Sequence, residues 1–118
     1  MEARWLRQQA RSYLVLRDTW EELFATTGVK VYVSWFKYDG SHCAIADALQ
    51  RVGGVMAIYQ RAYESHPSVE TTIAADVVFG FSQAVAELER RSNSVIPYHI
   101  TTGYLGDHRF PLLRQEAQ

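Results

Sequence analysis

The run Asp39-Gly40-Ser41-His42-Cys43 sets the chain's only cysteine in the first turn of a predicted helix, directly after a predicted strand. A helix N-terminus carries unpaired N–H groups and partial positive charge, which favours a thiolate. A nucleophilic thiol also needs a histidine base in reach and a group to orient that base. His99 and His108, the latter beside Asp107, are the candidates for this role, from the C-terminal part of the chain. The alternative is that Cys43 is a small buried residue that packs much as alanine does. Gly40 and Ser41 at the same helix end have the character of an anion site, but the glycines and lysine of a phosphate loop are missing.

The four histidines, His42, His66, His99 and His108, could join Asp39, Cys43 and Asp107 only through the fold. No two of them are spaced i, i+4 on a helix, and a single cysteine supplies neither a disulfide nor a structural zinc site. No metal and no cofactor is expected.

Aromatic residues make up 13% of the chain, enough to line a pocket or a subunit seam. Tyr32, Trp35, Tyr38 and Tyr98 fall in predicted β segments, and Tyr59 falls on the inward line of a predicted helix. Together with Arg17 they are the candidate ligand-binding residues. Arg17 is the odd member, because it sits among Tyr13, Trp20 and Phe24 on the apolar side of the first helix. A guanidinium there either pairs with Glu21 one turn away or anchors a ligand. Arg4, Arg7 and Arg11 form a one-sided ladder that reads as a solvated face.

These residues must be positioned by few elements. Residues 3–26 have an apolar stripe of helical period that stops at Gly28, a residue that takes positive φ at no steric cost. Residues 29–38 are rich in valine and aromatics and predict a strand with apolar weight on both faces. Residues 42–64 predict a helix on the line Ile45, Leu49, Val52, Met56, Tyr59 and Tyr63, capped by Ser41. Gly53-Gly54 in its middle marks close packing or a break. Residues 69–91 predict a third helix with a wide apolar arc, and residues 95–113 a β segment with a turn near Gly103. The expected fold is α+β over 1–118 as one domain. Three long helices lie on a small, mostly antiparallel sheet of two or three strands, in the order αβααβ with a further β.

The two-faced strand and the wide arc exceed what one such thin domain covers, so a homodimer is expected. The net charge of −1 excludes a strongly basic nucleic-acid coat. Residues 45–59 have the flavour of a helix-turn-helix, but Gln50 and Arg51 fall where the motif wants glycine and an apolar residue, and only Gln60 and Arg61 offer anything to a base edge. No apolar run is long enough to span a membrane and no apolar leader block is present, so a cytoplasmic protein is expected. The expected function is non-catalytic binding of a small apolar ligand or a protein partner. The alternatives are a small enzyme using Cys43 with His99 or His108, and a DNA-binding regulator.

Overall fold

The computed structural model describes residues 2–35, 40–104, 109 and 112–114. Tyr38 and His108, the end of the predicted first strand, and most of the predicted turn after Gly103 lie outside them; the return strand expected at 109–113 is corrected, because Arg109 and Leu112 to Arg114 are helical.

Helix α1 (Glu2–Thr27) ends where Gly28 takes φ +71°. Strand β1 (Val31–Ser34) follows, then α2 (Ser41–Arg51), β2 (Val55–Tyr59), a 3-10 turn at Val69–Thr71, β3 (Val77–Gly80), α3 (Gln83–Arg91) and β4 (Tyr98–Thr101). The strands form one sheet in the order β1-β2-β3-β4, and every pairing is parallel. This corrects the expected small, mostly antiparallel sheet: among the described residues there are four strands, all parallel, with α-helices in the first and third crossovers and a 3-10 turn in the second.

The correction has a local cause. Val55-Met-Ala-Ile-Tyr and Val77-Val-Phe-Gly are short unbroken apolar runs, and such runs fit a buried strand as well as a helix. The helix predicted over 42–64 stops at Arg51, because Gly53 takes φ +69° and the Gly54 N–H bonds the Leu49 carbonyl (2.7 Å). The Val55 N–H then joins the Lys30 carbonyl (2.8 Å) and starts the ladder with β1. The helix predicted over 69–91 likewise survives only from Gln83. Ser41 is the first residue of α2 rather than its cap; Gly40 holds the cap position with no side-chain cap bond.

Parallel strands in sequential order need a crossover between each pair. Here all three crossovers lie on one face. Ile45 and Leu49 of α2, and Ile73 of the β2–β3 connection, pack with Met56, Ile58 and Val78 in one core. Val85 of α3 shares a small internal space with Ile58 and Val78. Helix α1 joins this layer through α2 and β1, where Trp20, Phe24 and Tyr32 stack with centroids 5.3–6.1 Å apart. Phe24 is the one buried residue of α1, and the molecule measures 64 Å along its longest axis.

Candidate functional site

The side-chain period of two in a strand decides what the other face of the sheet carries. With Met56, Ile58 and Val78 turned to the helices, the register sets Val31, Val33, Val55, Tyr59, Val77, Phe79, Tyr98 and Ile100 on the opposite face. All are apolar or aromatic and none is charged. Val31, Val33, Val55, Tyr98 and Ile100 keep 41–67% of their area exposed, and among the described residues no element packs over them. The small Ala57 sits near the middle of this face, shielded by its neighbours. A parallel sheet ordinarily has both faces covered, so among the described residues this surface departs from a self-sufficient fold.

The sequence-predicted ligand residues divide between places. Tyr59 and Tyr98 share the open face. Tyr32 points the other way, into the cluster with Trp20 and Phe24. Trp35 follows β1 and carries the Arg61 guanidinium 4.2 Å above its ring. Beyond the same end of the sheet Phe81 stacks between Tyr63 (5.0 Å) and Tyr104 (5.3 Å). Arg17 is on α1, where Nε and Nη2 bond Asp18 Oδ1 (2.9 and 2.7 Å) and Nη1 lies 3.7 Å from Asp47. The bond to Asp18 raises its pKa further above the ordinary arginine value. Glu21, the expected partner, pairs with Arg51 instead (2.6 Å).

Cys43 lies in a groove of about 370 Å³ with Tyr13, Asp47, Gln50 and Asp76. The Tyr13 hydroxyl donates to Asp47 Oδ2 (3.3 Å) and reaches the Cys43 carbonyl (3.4 Å). Burial, then the Asp47 charge, push the Tyr13 phenol above its ordinary pKa. The histidine beside the Cys43 thiol is its own neighbour: His42 Nε2 is 3.3 Å from Sγ and accepts the Ala74 N–H (3.4 Å). His99 lines a different space, a cavity of about 250 Å³ between α3 and β4. The structure therefore does not bring Cys43 and His99 into one pocket, and His108 lies outside the described residues. Among the described residues no group of three His, Cys, Asp or Glu is placed to hold a metal ion.

Two sets of residues escaped the sequence reading. Val55, Val77, Phe79 and Ile100 complete the open face, and the signal for the first three was the short apolar runs just described. Glu89 is the other, a carboxylate only 2% exposed on the inward side of α3. Its signal was a charged residue one turn from Ala86 on the apolar side of the wheel.

Comparison with protein-family models, curated proteins and solved structures gave no match. Val55–Tyr59 being a strand removes the second helix that a helix-turn-helix over 45–59 would need. Among the described residues, no helix is long and apolar enough to cross a membrane.

Proposed function

We propose that this chain is a non-catalytic interaction module whose uncovered sheet face is its contact surface, and that the face is filled by a second copy of the chain. One observation carries the reading: an all-parallel sheet presents a continuous uncharged surface of valines, isoleucine and aromatics. Contiguous patches of that kind mark sites of association. A stable interface buries about 800 Å² per partner, and the open face spans all four strands of the sheet. A two-fold pairing sets the same patch on itself, so apolar meets apolar without any charge needing a partner. The two sheets then stack about 10 Å apart, as in a sandwich core.

Light scattering on the purified chain tests this. The expected particle has twice the 13.5 kDa chain mass. Val33→Glu and Ile100→Glu, each placing a charge on the open face, convert it to a single chain with unchanged helical circular dichroism. A wild-type particle of single-chain mass, or a dimer that survives both substitutions, overturns the reading.

A further inference from the structure

Helix α1 meets the rest of the fold from one side, through Tyr13, Arg17, Trp20 and Phe24. Every residue from Glu2 to Ser12 is exposed. On the helical wheel the side opposite those contacts is centred on Val15, which is 67% exposed. Around Val15 lies a shallow depression lined by Arg11, Ser12, Leu16 and Thr19. Ser12 and Thr19 are small and stand one turn to either side of Val15, which leaves room for a side chain from another helix.

This face has two unlike edges. One carries Trp5, Leu16 and Leu23, 36–59% exposed. The other carries Arg4, Arg11, Asp18 and Glu22, all exposed. The charges are also divided by sign along the helix. Arg4, Arg7 and Arg11 lie in its N-terminal half and Asp18, Glu21 and Glu22 in its C-terminal half, with Glu2 and Arg17 the exceptions. A helix macrodipole favours the reverse placement, so the stability of α1 itself does not account for the pattern. Arg17 holds Asp18 and Arg51 holds Glu21. Among the described residues Arg4, Arg11 and Glu22 have no ion-pair partner.

Symmetry selects what fits. In a two-fold antiparallel pair each edge meets its own copy running the other way. The apolar edges then cover each other, and Arg4 and Arg11 come opposite Glu22 and Asp18 of the second copy, with the macrodipoles opposed. A parallel pair would set the apolar edge of each helix on the charged edge of the other. The face is therefore self-complementary in one orientation.

We propose that the outward face of α1 is a second association surface, which pairs antiparallel with α1 of another copy about Val15. The exposed apolar edge and the division of charge carry the proposal. It does not rest on the sheet-face reading, because α1 belongs to the helix layer and the open sheet face lies on the other side, so one particle can hold both contacts. One helix face with polar members at its centre is the weaker of the two, so it joins particles in pairs only as concentration rises.

Sedimentation equilibrium of the full chain, from about 5 to about 500 μM at low salt, is the first measurement. The mean mass should rise from that of the low-concentration particle toward twice that value, with a Kd on the order of 100 μM. Arg4→Glu with Arg11→Glu makes the charged edge acidic throughout and should weaken this step about tenfold or more. Asp18→Lys with Glu22→Lys makes it basic and should do the same. An equimolar mixture of the two variants should recover the step. Orientation is read by mild oxidation of Ser12→Cys and Thr19→Cys, each on a Cys43→Ser background. A pair centred on Val15 brings positions 12 and 19 of different copies within disulfide reach, while like positions stay about 9 Å or more apart along the axis. Cross-linked chains should form from the mixture and from neither variant alone. Val33→Glu, which removes the sheet-face contact, should leave this cross-link intact, so the two readings fail separately. A mean mass that stays constant over the whole range overturns the proposal. So do charge variants that associate like the unsubstituted chain, a mixture that recovers nothing, and cross-linking of either cysteine variant alone.

Discussion

Asp76 grips the backbone of Met56 twice: its carboxylate Oδ2 accepts the Met56 N–H (2.7 Å) and its own N–H donates to the Met56 carbonyl (3.0 Å). The pair ties the start of β2 to the residue before β3, across a connection that holds only a 3-10 turn. Met56 is fully buried, so its N–H has no water to turn to. Asp76→Ala should destabilise the fold by about 1–3 kcal/mol, read as a lower urea midpoint. Asp76→Asn retains an acceptor and should lose less. Equal losses would mean that charge, not hydrogen bonding, holds this junction.

Gly53 and Gly54 should respond to alanine for different reasons. Gly53 takes φ +69° with open space around it, so Gly53→Ala meets only backbone strain of about 1 kcal/mol. Gly54→Ala would put a Cβ 2.9 Å from the Lys30 carbonyl oxygen and 2.8 Å from Leu49 Cδ2. Leu49 can turn, but the Lys30 backbone belongs to the ladder. Gly54→Ala should therefore cost more, about 2 kcal/mol or above. Thermal melts of both variants check the order.

The same two residues show what the sequence could and could not carry. Helix α1 was legible because the unbroken pattern over residues 3–26 outweighs local ambiguity, and Gly28 stops it where expected. In the segment 42–64, the inward line from Ile45 to Tyr63 fits a helix only if Gly53-Gly54 is helical. The left-handed φ at Gly53 breaks the period there, and Met56 and Ile58 then share a face by strand alternation instead. Five-residue apolar runs carry no period of their own to reveal this. Parallel pairing was hidden for a related reason: it depends on which crossover layer buries each run, and that is settled by contacts distant in sequence. Tyr59 and Tyr98 read from the sequence as ligand-contacting aromatics on a helix and a strand; that they share one face emerges only once β2, β3 and β4 are in register. Glu89 and His99 meet across α3 and β4, a pairing no spacing encodes.

His99 should make stability pH-dependent. Burial lowers its folded pKa beneath the ordinary value of about 6.5. Between the two values the unfolded chain binds the extra proton, so stability rises with pH through that window. The contribution is complete above about pH 6.5 and is lost as pH falls toward the folded pKa. Glu89 and Arg90 face the ring with opposite effects, and burial outweighs the carboxylate. Urea midpoints measured across this range should fall less steeply in His99→Asn than in the unsubstituted chain. The remaining histidines are common to both proteins, so the difference in slope isolates His99. Parallel slopes would place the ring in water.

Tyr13 should act at the opposite end of the scale. Its phenol is held above the ordinary value of about 10 by burial and by Asp47. The folded state keeps the proton longer, so this contribution is present below about pH 10 and is lost as pH rises toward the folded pKa. Tyr13→Phe removes the hydroxyl that joins α1 to Asp47 and Cys43 on α2, and should cost about 0.5–1.5 kcal/mol at neutral pH. It should also flatten the alkaline loss of stability, and one tyrosine absorbance step should disappear from the top of the titration.

Arg17 is where structural and ligand-anchoring roles predict opposite results. Its guanidinium holds Asp18 through two bonds and faces Asp47 at 3.7 Å, with the side chain 19% exposed. Asp18 is itself well exposed, and an ion pair open to water contributes little, while the side chain's stem still covers the adjoining helix. Arg17→Met keeps that stem and removes the charge. It should leave the melting temperature within about 3 °C, because packing is conserved and the lost pair is weak. An anchor held ready for an anionic ligand would behave otherwise, since the unliganded protein would be relieved by losing the charge. Its Tm would rise by several degrees. The double variant Arg17→Met, Asp18→Asn separates the two further: if Asp18 is the partner that matters, the second substitution adds almost nothing to the first. If Asp47 is the stronger partner, Arg17→Met and Asp47→Asn are the pair that fail to add. That result would link α1 to α2 through charge as well as through Tyr13.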